Sequence, residues 1–121
     1  MRHQWATIHE LAQVGLLAEL PGQALGKLAE RMERRELGAG EAVVREGDSG
    51  ERFYVVLSGL LGVRQDGRGE RRVLRPGDYF GEIALVLDVP RTATVSALTP
   101  ATVASCDRET FDDLVRPHLT G

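Results

Sequence analysis

Cysteine and lysine each occur once in this chain, and aromatic residues make up only 5% of it. The solitary Cys106 excludes an intrachain disulfide and any thiolate metal cluster. Its place in the β-prone piece ATVASC reads as a small core residue of a strand. Long hydrophobic runs are missing too: FYVVL and IALVL fall far below the roughly 20 residues that span a bilayer, so the chain inserts into no membrane by itself. Met1, Arg2 and His3 are not followed by a long apolar stretch with a small-residue cleavage site, so no secretory signal is read and the expected location is cytoplasmic. Nor is there a surplus of positive charge. The net charge of -3 and pI near 5.6 argue against binding of nucleic acid by this chain alone, because such domains carry a basic patch. The three histidines, His3, His9 and His118, lie near the termini. A metal-dependent barrel enzyme needs several ligands projecting inward from strands, and no serine, cysteine or carboxylate pair stands in a catalytic arrangement. The expectation is a protein without catalytic residues, metal or cofactor.

What is present suits one domain of 121 residues, 42% apolar and 27% charged, long enough to bury a core. Over residues 8–33 apolar positions recur at intervals of three and four. That spacing predicts two short helices, with Pro21 placed where a helix can begin without its missing N–H. AERMERRE reads as a solvated helix face running into the first strand. Beyond Leu37, glycines divide short β-prone pieces. In RFYVVLS, Phe53, Val55 and Leu57 face one way and Tyr54 and Val56 the other, and QDGRGE makes a polar hairpin tip at Asp66 and Gly67. The expected fold is mainly β with flanking helices: an antiparallel double-stranded β-helix, or jelly roll, over about 34–107. Asp107 caps a last helix over about 108–116 that Pro117 ends.

One segment, FGEIALVLDVPRTATV at residues 80–95, departs from that pattern. GEIALVL lacks alternation and starts with glycine, so it reads as a short helix inserted between strands. The unpaired N–H groups of its first turn attract an anion, and Gly81 lets a ligand approach the backbone closely. Arg91, returning across the pocket, can present its guanidinium to the same anion in fork geometry. Glu82 has the wrong charge for the anion and is suited to accept hydrogen bonds from neighbouring hydroxyls. One phosphate beside a sugar hydroxyl would satisfy both residues. The competing possibility is a plain Glu82–Arg91 salt bridge.

The same segment closely resembles the phosphate-binding stretch of the cyclic nucleotide-binding domain family, found in the cAMP receptor protein, in kinase regulatory subunits and in gated channels. GEAVVREGDSGERFYVVLSGLLGV is similar to that family's first barrel strands, PGDYFGE to its entry to the site, and DRETFDDLV to the helix after the barrel. The resemblance implies that Arg91 binds the exocyclic phosphate oxygens, with backbone N–H groups of Ala84, Leu85 and Thr92 or Ala93 completing the cradle. It implies that Glu82 and the Gly81 backbone hold the ribose 2′-hydroxyl, that Ile83 belongs to the same binding segment, and that Val63 contacts the base. Thr92 bears on the choice between cAMP and cGMP, and cAMP is the favoured ligand.

Many family members continue into a long helix that closes over the base, whereas this chain stops soon after Pro117. Either a lid is supplied by the rest of a longer protein or the pocket stays open; the expectation is a sensor domain that is part of, or partner to, a larger effector, with an effector domain or a homodimer as its partner. The alternative is a degenerate fold that acts only as a protein-interaction module. Phosphate capture is expected to draw residues 81–87 toward the ligand, with Ile83 and residues 85–87 passing the shift to the terminal helices.

Overall fold

The computed structural model describes residues 5–119, with Glu70 and Arg71 described by backbone alone; His3 therefore lies outside the described residues. The first helix, α1 (Ile8–Leu11), opens on a capping box. The Thr7 hydroxyl accepts from the Glu10 N–H at 3.1 Å while the Glu10 carboxylate accepts from the Thr7 N–H at 3.1 Å, so two orphan donors are satisfied at once. It lasts one turn. Val14 then takes extended backbone and is buried, and α2 (Gly15–Ala18) starts from it. Three helices thus replace the two expected over residues 8–33, because burial of Val14 breaks the first. The third, α3 (Gly22–Arg31), starts after Pro21 and buries Leu25, Leu28 and Ala29 at the predicted spacing.

AERMERRE runs from the end of α3 into the first strand, as expected, with the helix ending at Arg31 rather than near residue 33. Met32 turns to extended backbone (φ -96°, ψ 117°) and is fully buried, and the charged stretch after it is strand β1 (Glu33–Leu37). Pairing with β8 (Ala101–Asp107), from Glu33 opposite Ser105 to Leu37 opposite Ala101, fixes that backbone. Intrinsic preference, which favours helix for Glu and Arg, is a weaker influence than such pairing.

The remaining strands are β2 (Ala42–Val44), β3 (Arg52–Ser58), β4 (Leu61–Gln65), β5 (Gly69–Leu74), β6 (Tyr79–Phe80) and β7 (Thr94–Ala97). They form two four-stranded sheets, β1-β8-β3-β6 and β2-β7-β4-β5, with antiparallel pairing. Among the described residues no ladder joins the two sheets, so the jelly roll is double-layered rather than closed by hydrogen bonds. At the β4–β5 tip Gly67 adopts the positive φ that the turn requires.

The period of two in β3 separates two cores. Phe53 and Val55 join the helices, with Phe53 5.1 Å from the Phe111 ring, while Tyr54 and Val56 enter the layer between the sheets with Leu61, Leu74, Val95 and Val103. Cys106 lies in the helix-side core, where burial pushes its thiol up to about 12; it is a packing residue.

Asp107 accepts from the Thr110 N–H at 2.9 Å and opens α5 (Arg108–Thr110). The chain then widens into a π-helical turn, Phe111–Val115, and a 3-10 turn, Arg116–His118. The wide turn leaves Phe111 and Val115 both fully buried, and Pro117 sits within the final turn rather than after it. Removing the cap with Asp107→Ala should cost about 1 kcal/mol in urea unfolding at neutral pH. The Thr110 hydrogen bonds hold the Asp107 carboxyl below its ordinary value. Its contribution is therefore full above the usual carboxylate range and is lost as pH falls through the depressed folded-state value. The gap between wild type and variant should close in acid; a gap independent of pH would contradict this.

Candidate functional site

The inserted helix is present as α4 (Glu82–Leu87), the unalternating apolar run having no strand partner. Gly81 is its N-cap, in the left-handed region at φ 94°. A Cβ there would also lie 2.8 Å from Arg91 Nη1 and 2.9 Å from the Arg52 carbonyl oxygen, so both conformation and space call for glycine. At the other end Asp88 caps the helix in the left-handed region, with its N–H donated to the Ala84 carbonyl. Arg108 reaches across to donate to the Leu85 carbonyl at 3.1 Å and lies 3.4 Å from the Asp88 carboxylate. A cation thus sits at the negative end of the helix, and the positive end opens on the cavity.

Arg91 is fixed at both its backbone and its side chain. Its N–H donates to the Asp48 carbonyl at 2.8 Å and its carbonyl accepts from Gly47 at 2.9 Å. Its Nη1 donates to the Gly81 carbonyl at 3.1 Å and its Nη2 to the Arg52 carbonyl at 2.8 Å. The residue is 93% removed from solvent and its Cζ lies 5.7 Å from the centre of the Tyr54 ring, which stacks on Phe80. Burial lowers the guanidinium pKa, opposed by Tyr54, Glu51 and Glu82 nearby; the ordinary value is so high that the group stays cationic. Both hydrogen-bond acceptors are neutral carbonyls. The positive charge is therefore oriented without being neutralised by contact, and among the described residues Nε–H has no hydrogen-bond acceptor.

Glu82 forms neither a hydrogen bond nor an ion pair among the described residues. The plain Glu82–Arg91 salt bridge is thus not the arrangement found: the carboxylate lines the cavity and acts on Arg91 through its field without direct contact among the described residues.

That cavity encloses about 370 Å³. Val44, Val63, Leu74 and Val95 give it an apolar floor, while one wall is residues 81–84 and another is residues 91–93. Of the residues singled out from sequence, Val63, Gly81, Glu82, Ile83, Ala84, Arg91, Thr92 and Ala93 all line it. Leu85 does not: its side chain is buried in the helix-side core. Counting from the N-cap, the orphan N–H groups of α4 end at Ala84, which makes Leu85 the least suited of the set to a ligand. His9 and His118 lie outside the cavity lining.

Sequence reasoning missed Gly50, Arg52 and Tyr54. Gly50 stood only as a turn glycine in GDSGERFY, yet a Cβ there would overlap Ala84 Cβ and lie 2.9 Å from Arg91 Nε. Arg52 acts through its carbonyl, which no side-chain pattern announces.

Residues 34–118 match the family model described as "Cyclic nucleotide-binding domain". The cAMP-dependent protein kinase regulatory subunit of Debaryomyces hansenii is 41% identical over 109 residues, 90% of this chain and 24% of the relative. The cGMP-dependent protein kinase egl-4 of Caenorhabditis briggsae is 36% identical over 114 residues, 89% of this chain and 15% of that kinase. The chain thus spans a quarter or less of the length of these two relatives. Among solved structures, the regulatory domain of Toxoplasma gondii PKA in a co-crystal with cAMP superposes with a TM-score of 0.85 at 30% identity, over 92% of this chain and 44% of that one.

The missing Cβ at position 50 gives a direct check on the site's packing. Gly50→Ala should push α4 and the Arg91 guanidinium apart and destabilise the fold by about 1–3 kcal/mol, the usual cost of overpacking. Denaturant unfolding measures it, and a variant as stable as wild type would show that this close approach does not hold.

Proposed function

This chain belongs to the cyclic nucleotide-binding domain family, and on that premise we propose that its cavity binds one cyclic nucleotide, cAMP in preference to cGMP, as the sensor of a larger regulated protein. The observation that carries the reading is the buried Arg91 cation, held by carbonyls rather than by a carboxylate, beside the open N-terminus of α4. A cyclic phosphodiester brings one negative charge to that point. Arg91 and the N–H groups at the start of α4 receive the phosphate oxygens. The Glu82 carboxylate accepts from the sugar hydroxyl, and Val63 in the apolar floor supports the base. The residues act by binding alone; none is given a role in bond breaking. The regulatory-subunit names of the relatives support an effector partner, and their cAMP-dependent members support cAMP.

The path from ligand to effector starts at α4. Leu85 packs in the helix-side core with Phe111 and Val115, and Arg108 holds the Leu85 carbonyl. A shift of α4 toward the phosphate therefore pulls on the C-terminal helix. The ligand moves this equilibrium only by its difference in affinity for the two positions.

Side-by-side calorimetric titration with cAMP and cGMP tests occupancy and preference together. Arg91→Ala should weaken binding at least about tenfold, since a charge-assisted hydrogen bond contributes roughly 1.5–3 kcal/mol and 1.4 kcal/mol is a factor of ten. Unchanged affinity would refute the phosphate assignment. On saturation, backbone amide signals of residues 108–118 should move along with those of the cavity; shifts confined to the cavity would sink the coupling.

A further inference from the structure

The chain after Arg91 enters its sheet at a definite place. The β4–β7 ladder runs from Leu61 opposite Ala97 to Arg64 opposite Thr94 and stops there. The next pair would be Gln65 with Ala93, but Ala93 has turned into the cavity wall. At that point a side chain takes over from the backbone: Gln65 Nε2 donates to the Thr92 carbonyl at 3.0 Å. Gln65 is itself held in place, because the next residue, Asp66, donates its N–H to the Glu46 carboxylate at 3.0 Å, and the Glu46 N–H donates to the Thr94 hydroxyl at 2.9 Å. Gln65 is not part of the cavity lining, whereas Thr92 and Ala93 are.

We infer that Gln65 is a positioning residue that aims the Ala93 N–H at the ligand's phosphate, an inference that rests on the cyclic-nucleotide reading. The Thr92 carbonyl and the Ala93 N–H belong to one planar trans peptide and point in opposite directions; the structure has no cis peptide. Pulling the carbonyl away from the cavity toward Gln65 therefore turns the N–H inward. The Arg91 N–H and carbonyl are committed to Asp48 and Gly47, so the N–H groups this return segment can offer begin with Thr92 and Ala93, and the Ala93 N–H is the one whose peptide carbonyl Gln65 holds. With Gln65 in place the donor is oriented before the ligand arrives, and no reorientation is needed on binding.

The experiment uses the whole chain, with cAMP and cGMP as probes, and follows the Ala93 amide by NMR. In the wild type the Ala93 proton should shift downfield on saturation and become protected from exchange. Gln65→Met keeps length without a donor, and Gln65→Glu keeps shape without a donor. Each should weaken binding roughly fivefold, the scale of one hydrogen bond misdirected, and reduce the Ala93 shift at saturation. Wild-type affinity with an undiminished Ala93 shift in either folded variant overturns the inference, as does an Ala93 proton that stays put when the wild type is saturated. If the wild type takes up neither nucleotide, the cyclic-nucleotide reading itself has failed, and the role of Gln65 falls with it.

Discussion

A guanidinium gripped by two backbone carbonyls is the constraint on which the rest of the site depends. Arg91 donates to Gly81 on one side and to Arg52 on the other, and those carbonyls belong to the entrance of α4 and to the start of β3. The arginine thereby fixes the inserted helix against the sheet while keeping its own charge available. A carboxylate in the same place would have oriented it equally well but cancelled the attraction for an anion. Neutral acceptors give position without neutralisation, at the cost of burying a charge, visible in the lowered pKa.

Two glycines make that grip sterically possible. At Gly81 the backbone takes a conformation open to glycine, and at both Gly81 and Gly50 a methyl group would collide with the arginine. The wall carrying Arg91 is built in the same economical way from main-chain groups: Gly47 and Asp48 hold its backbone, and Gln65 holds the following carbonyl. Three loops from different parts of the chain therefore meet around one residue.

The alternation of β3 places this site between two cores. Phe53 and Val55 anchor the helices, and Tyr54 and Val56 fill the layer between the sheets. Because Leu85 faces the helix-side core while residues 81–84 face the cavity, α4 touches ligand space on one side and the terminal helix on the other.

Much of this was legible in the chain itself. The period of two in RFYVVLS, the glycine punctuation, the unalternating GEIALVL and the Asp107 cap each follow from local chemistry, and they yielded the double-layered barrel, the inserted helix and Gly81, Glu82 and Arg91 of the cavity; Val63, Ile83, Ala84, Thr92 and Ala93 came from the family resemblance. The division of the first helix was not legible, because burial of Val14 overrode local preference, and the start of β1 near residue 34 was legible while its partner, β8, was not. Nor could sequence separate a Glu82–Arg91 salt bridge from a carboxylate near, but not touching, a carbonyl-bound arginine. Residue types and spacing determine which groups can enter a site. Which of them meet, and which carbonyls and which missing methyl groups bring them together, is decided only when segments distant in sequence pack, since main-chain groups look alike at every position until the fold gives each one a neighbour.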